Sequence, residues 1–284
     1  MKIDLTKLPT EGLIVTKHIA AGEECTLIRP NFIGFDWTEE TLHFRSSMWN
    51  SEGELISASF KKFFNYEEKP AITPPPNETD VCQAIEKLDG SALIVSKYKD
   101  QLIIRTRGAP DTVTMPNADE IPELRKKYSK FFDADITDQW TYIFEWVSPK
   151  NRIVLAYPEP ELYLIACIKH EDYSMSTQLE LDVIALAFGF KRPKKYEFTE
   201  RGLLFQDIKT WDDREGICLY YNNGQSIRKI KSLKYLKLHA FKSLLSLKNL
   251  TKIFYEYGCP DNDAFKDRIE KEFDFECAKM AVSI

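Results

Sequence analysis

The 284-residue sequence contains no run of about 18 apolar residues, so no segment is expected to span a membrane. It has no Cys-x-x-Cys pair. Its six cysteines (Cys25, Cys82, Cys167, Cys218, Cys259 and Cys277) and four histidines are scattered, which argues against a zinc site. The simplest reading is a set of reduced, mostly buried thiols in a cytoplasm. Charge at Lys2 and Asp4 breaks the pattern of a secretory leader. There is no internal repeat and no low-complexity tail. Excess positive charge is lacking too. The net charge is −5, which argues against a general nucleic-acid binder but leaves room for a local basic groove.

Apolar and aromatic residues are plentiful, at 43% and 13%, enough for a packed core in one large or two modest domains. The run Ala71–Thr79 contains three consecutive prolines, so it is read as a loop closing an N-terminal module. Beyond it, β-like runs are expected at 92–96, 102–106, 141–146, 152–157, 162–168, 216–221 and 226–231. Helical spacing marks 120–132, 178–188, 239–257 and 262–280. Strands and helices without a regular βαβ rhythm predict an α+β fold of mostly antiparallel sheets.

Several short motifs can carry chemistry. Lys87-Leu88-Asp89-Gly90 stands at the edge of a β segment. It is either a covalent nucleophile with its turn or a surface lysine before a turn. Arg105-Thr106-Arg107-Gly108 ends the next strand, and two arginines two apart in a strand share a face. Glu145 interrupts the apolar run Tyr142–Val147. On a buried face it needs a ribose hydroxyl or a cation; on the other face it meets water. Pro149-Lys150-Asn151-Arg152 supplies a turn, with 153–157 as the expected partner strand.

Glu215-Gly216 opens a hydrophobic strand, where a carboxylate can reach a metal. Lys229 and Lys231 follow the hairpin signal Asn222-Asn223-Gly224-Gln225 and share a strand face, which favours an anion between them. Upstream, Arg45 and the run Lys62-Phe63-Phe64-Asn65 offer cations beside flat apolar rings. Each pattern alone is equally at home on a solvated strand or in a core.

As an ordered set, these pieces resemble the covalent nucleotidyltransferase superfamily of ATP-dependent ligases, and more closely the RNA ligase 1 family of T-even phages. Lys87-x-Asp89-Gly90, Phe144-Glu145-Trp146, Glu215-Gly216 and Lys229-x-Lys231 match that superfamily's motifs in order. Lys62–Asn65, Pro149-x-Asn151-Arg152-Ile153-Val154, Tyr235 and His239 carry the closer likeness. The resemblance runs from about Arg45 to about His239. It implies a ligase adenylylation domain over 1–238 and a small helical C-terminal appendage over 239–284.

The resemblance further implies ATP and Mg2+ (or Mn2+) as cofactors and RNA 5′-phosphate and 3′-hydroxyl ends as partners, for a monomer with no membrane partner. Lys87 would form lysyl-AMP, and Glu145 would contact the ribose. Glu215 would bind the metal, and Lys229 and Lys231 the α-phosphate. Arg45 and Lys62 would orient the β and γ phosphates. Phe64, Glu86, Asp89, Gly90 and Arg107 would complete the nucleotide site. Arg107 departs from the family's Thr-Lys-Gly pattern, which puts its role in doubt. The short stretch after Lys231 keeps any preference for broken tRNA from carrying over. A DNA ligase, a GTP-dependent capping enzyme and a non-catalytic binding protein on the same fold stand as alternatives.

Overall fold

The computed structural model describes residues 1–9, 11–31, 35–68, 72–244, 247–272 and 281. They form two compact units. The larger comprises 1–152, 156–197 and 217–230; the smaller comprises 153–155, 198–216 and 231–284.

In the larger unit, β1 (Leu13–Ala20) and β2 (Glu23–Pro30) make a hairpin. Its turn residues Ala21 and Gly22 both take positive φ, which suits the twist of the flanking strands. A 3-10 turn at Leu42–Arg45 leads into β3 (Ser47–Asn50) and β4 (Leu55–Ser57). Together they form an antiparallel sheet in the order β1-β2-β3-β4. The short β5 (Phe64–Asn65) and β6 (Gln83–Lys87) enter a different sheet. Residues 72–79 between them carry no helix or strand, as the prolines require.

Next come β7 (Ser91–Tyr98), β8 (Gln101–Arg105), β9 (Trp140–Val147) and β10 (Glu161–Lys169), an antiparallel sheet in the order β10-β9-β7-β8. Its helices are α1 (Ile121–Lys127), α2 (Ser129–Phe132) and α3 (Gln178–Phe188). One face of this sheet (Leu93, Val95, Phe144, Trp146, Leu162, Leu164) packs on Leu124, Phe131, Leu181 and Ala185 from the helices. The other face (Ile94, Ile143, Ala166, Ile168) packs on Trp49, Leu55, Ile85, Tyr220 and Ile227. A sheet buried on both faces explains its long apolar runs. The capping box of Thr177 and Glu180 starts α3, and Gly189 at φ +78° ends it.

The third sheet joins β11 (Lys195–Tyr196), β12 (Gly216–Tyr221) and β13 (Ser226–Lys231) in the order β11-β6-β12-β13-β5. The smaller unit holds α4 (Arg201–Thr210), α5 (Leu233–Leu244), α6 (Leu247–Glu256) and α7 (Asn262–Glu272). Phe241, Leu250, Phe265 and Ile269 form its own apolar centre.

Three expectations need correction. Residues 152–157 form no strand; both edges of β9 are already taken, by β7 and β10, so no edge is free for them. The helical run 120–132 is broken at Tyr128, which sits at φ −110°, ψ 36°. The run 239–257 is two helices, the first starting at Leu233. Of the run 262–280, residues 273–280 lie outside the described residues.

Candidate active site

Lys87 is the last residue of β6, half-buried, and the next three residues turn the chain into β7. That turn is held from several sides. Gly90 N–H donates to Glu145 Oε1 at 2.9 Å, and Asp89 N–H donates to the Tyr157 hydroxyl at 3.0 Å. A Cβ on Gly90 would stand 2.3 Å from the Trp146 carbonyl oxygen, so the close approach of the two strands demands glycine. Gly108, by contrast, stands in open space.

Glu145 lies on β9 opposite Ala92 of β7 and Tyr163 of β10, on the face away from buried Phe144 and Trp146. The turn after β9 is built by Asn151. Its amide Nδ2 donates to Trp146 O at 2.7 Å, its N–H donates to Ser148 Oγ at 2.9 Å, and its Oδ1 accepts from Ser91 Oγ at 2.9 Å. The Trp146 indole donates to the buried carboxylate of Glu120 at 3.0 Å.

A second group of side chains gathers through the parallel pairing of β5 with β13, which sets Arg228 beside Phe64 and Lys229 beside Asn65. Arg45 lies over the Phe63 ring at 4.6 Å, and Lys229 over the same ring at 5.8 Å. Lys62 lies 4.9 Å from the Phe64 ring and 5.8 Å from Trp37. Burial pushes the Arg45 pKa down, and the charge of Arg107 pushes the same way; Cys218 and Glu145 oppose it. Burial likewise lowers Lys62, followed by the charge of Arg45. These cations therefore penalise one another, and a polyanion among them would relieve the repulsion.

The two arginines near the end of β8 do not share a face. The strand stops at Arg105, and Thr106–Ala109 turn the chain, with Thr106 N–H donating to Ala109 O at 3.1 Å. Arg107 is exposed within the turn, whereas Arg105 is fully buried. Arg105 donates to Ser57 Oγ and Ser46 Oγ at 2.8 Å each, to Ser46 O at 2.9 Å and to Ser57 O at 3.0 Å. Arg105 ties the first sheet to β8.

In the smaller unit, the buried Glu215 carboxylate pairs with Lys231 Nζ at 2.8 Å. Lys231 also lies 4.8 Å from the Tyr235 ring, which stacks on His239. Ser232 N–H donates to Glu215 O at 2.8 Å, fixing the end of β13. Among the described residues no group of three or more His, Cys, Asp or Glu side chains could hold a metal. One buried carboxylate fits Mg2+, which binds through one or two carboxylates, substrate phosphates and its own waters.

Glu86 is half-buried on β6, where its N–H donates to Lys194 O at 2.7 Å. The motif reading missed Tyr157 and Trp37. Buried Arg228 donates to the carbonyls of Asn65, Glu68 and Thr73, which anchors the chain leaving β5. Nothing in sequence separates Arg228 from its half-buried neighbours Lys229 and Lys231.

The profile of the RNA ligase family, T4 ligase 1 type, matches residues 42–255, and the chain belongs to that family. A protein of Autographa californica nuclear polyhedrosis virus, named as a bifunctional polynucleotide kinase/RNA ligase, is 27% identical over 221 residues, covering 70% of this chain and 30% of that protein. An RNA ligase of Rhodothermus phage RM378 is 29% identical over 149 residues, covering 41% and 34%. The chain spans about a third of the length of the curated relatives it matches. An archaeal ATP-dependent RNA ligase superposes with a TM-score of 0.55 at 11% identity, covering 94% of this chain and 72% of that one. The fold is thus the α+β nucleotidyltransferase fold of the ligases.

Proposed function

We propose that the protein is an ATP-dependent RNA ligase that joins a 5′-phosphate to a 3′-hydroxyl through Lys87. Residues 1–238 would carry adenylyl transfer. The observation that carries this reading is the group of mutually repelling cations Arg45, Lys62 and Arg107, with Lys229 sharing the Phe63 ring with Arg45. Such a group suits a triphosphate better than any neutral ligand.

The chemistry runs in three steps. The neutral amine of Lys87 attacks the α-phosphorus of ATP, a P–N bond forms and pyrophosphate leaves. Arg45 and Lys62, with Arg107, hold the β and γ phosphates, so that the leaving group lies opposite the incoming nitrogen. Lys229 and Lys231 neutralise charge gathering on the α-phosphate. Glu145 accepts from a ribose hydroxyl as well as from Gly90. Phe64 and Glu86 complete the nucleotide site, and Asp89 and Gly90 shape the turn that presents Lys87. Glu215 would hold Mg2+ (or Mn2+), which supplies Lewis-acid charge to the phosphates. AMP then passes to an RNA 5′-phosphate. Last, a 3′-hydroxyl attacks the activated 5′ end, expelling AMP and sealing the strand.

The partners are therefore RNA ends, met by a monomer in the cytoplasm. No described helix is long and apolar enough to cross a membrane. The test compares ATP, GTP and NAD as donors, with 5′-phosphorylated RNA or DNA to be joined. Sealing of RNA with ATP alone supports the reading. A preference for DNA ends or for GTP overturns it.

A further inference from the structure

Trp37 has no part in the assignment above, yet it stands at the rim of the cation group. It is half-exposed, its ring 5.8 Å from Lys62 Nζ, with Phe35 edge-on behind it at 4.8 Å. The residues that follow it are tied down. Thr38 N–H donates to Thr41 Oγ1 at 2.8 Å, and Leu42 N–H donates to Thr38 O at 3.1 Å, which ties the segment to the 3-10 turn carrying Arg45. Lys62 N–H donates to Leu42 O at 2.8 Å, which ties in the other cation. A propped indole beside one phosphate-seeking cation, on a segment tied to the turn that carries a second, is the arrangement that receives a nucleobase next to a phosphate.

The geometry of phosphoryl transfer says which nucleobase. In the first step pyrophosphate departs from the side of the α-phosphorus opposite Lys87. In the second step Lys87 is itself the leaving group, so the incoming oxygen must arrive from that same side. An oxygen of the RNA 5′-phosphate attacks the α-phosphorus, the P–N bond breaks, and the electron pair returns to the Lys87 nitrogen. That nitrogen takes a proton, which the 5′-phosphate monoanion supplies, and leaves as a neutral amine. The cations that hold the β and γ phosphates therefore meet the 5′-phosphate next.

We infer that Trp37 stacks on the 5′-terminal base of the RNA whose phosphate is to be activated. This rests on the ligase reading, and it adds a binding residue for the second substrate that the nucleotide step does not use.

The test is binding of a fluorescent 5′-phosphorylated oligoribonucleotide to the whole protein and to the Trp37→Ala and Trp37→Phe variants. A second oligonucleotide has an abasic 5′-terminal residue. Trp37→Ala is expected to weaken binding of the first RNA by roughly tenfold or more, as loss of one aromatic–base stack implies. Trp37→Phe is expected to restore most of it, and the abasic RNA to bind all three proteins alike. Label transfer from ATP to the protein should be the same, within about twofold, in all three. Equal loss for the abasic RNA overturns the proposal, and so does a parallel fall in label transfer, which would make Trp37 a support for Lys62. Binding is measured without turnover, so an unlabelled wild-type protein would speak against the ligase reading and leave Trp37 still tested.

Discussion

Gly90 donates its backbone N–H to the carboxylate of Glu145, so the turn that presents Lys87 is fastened to the neighbouring strand by the side chain expected to meet the ribose. Hydrogen bonds to charged groups contribute about 1.5–3 kcal/mol. Glu145→Ala is therefore expected to slow adenylylation by roughly 10- to 100-fold. Glu145→Gln keeps an acceptor for Gly90 and should lose less. Single-turnover labelling of the three proteins checks this; equal losses would mean that the bond to Gly90 contributes nothing.

Gly90→Ala forces a Cβ against the backbone of Trp146, where no side chain can move aside. The strands must part, at a cost of about 1–3 kcal/mol or more. A lowered unfolding midpoint together with loss of labelling is expected. Gly108→Ala, in open space, should leave both nearly unchanged.

Arg105 and Arg107 should separate cleanly. Removing Arg105 strands several buried acceptors and empties a filled site, so Arg105→Ala should cost about 3–5 kcal/mol, read in urea unfolding. Arg107→Ala should leave stability within about 0.5 kcal/mol, as for an exposed side chain, and raise KM for ATP.

Acid should weaken the protein through two histidines. Burial lowers both His43 and His170 to about 4, with the charge of Lys61 adding at His43. In the unfolded chain they titrate near 6.5. Between those values the unfolded chain binds protons that the native state refuses. Stability is therefore whole above about pH 6.5 and is lost as pH falls towards 4, by on the order of 2–3 kcal/mol per histidine. Replacing His43 with Leu should remove one proton from that dependence. Urea titrations between pH 7.5 and 4.5 would detect it as a shallower acid limb.

Local chemistry explains what could be read from sequence. Helix α3 and strands β12 and β13 emerge with the expected bounds because their stops are written nearby. Thr177 with Glu180, then Gly189, bracket the helix, and Asn222, Asn223 and Gly224, all at positive φ, turn the hairpin. Glu145 was legible as a candidate because a charge inside an apolar strand is conspicuous, and Lys87 because Asp89 and Gly90 follow it in a turn at a strand edge. The parallel pairing of Phe64–Asn65 with Arg228–Lys229 was not, because contacts between segments so far apart leave no periodic trace. Arg105 misled for a related reason. Its burial depends on Ser57 of another sheet and on Ser46 just before that sheet's third strand, and sequence shows only two arginines two apart.

The central claim is that Lys87 becomes covalently adenylylated. The direct measurement is incubation with α-labelled ATP and magnesium, after any bound AMP has been removed with pyrophosphate, followed by denaturing electrophoresis. Label that stays on the protein, survives base, is lost in acid and is absent from Lys87→Met is the predicted result. Label retained by Lys87→Met, or none on the wild-type protein, would contradict the account.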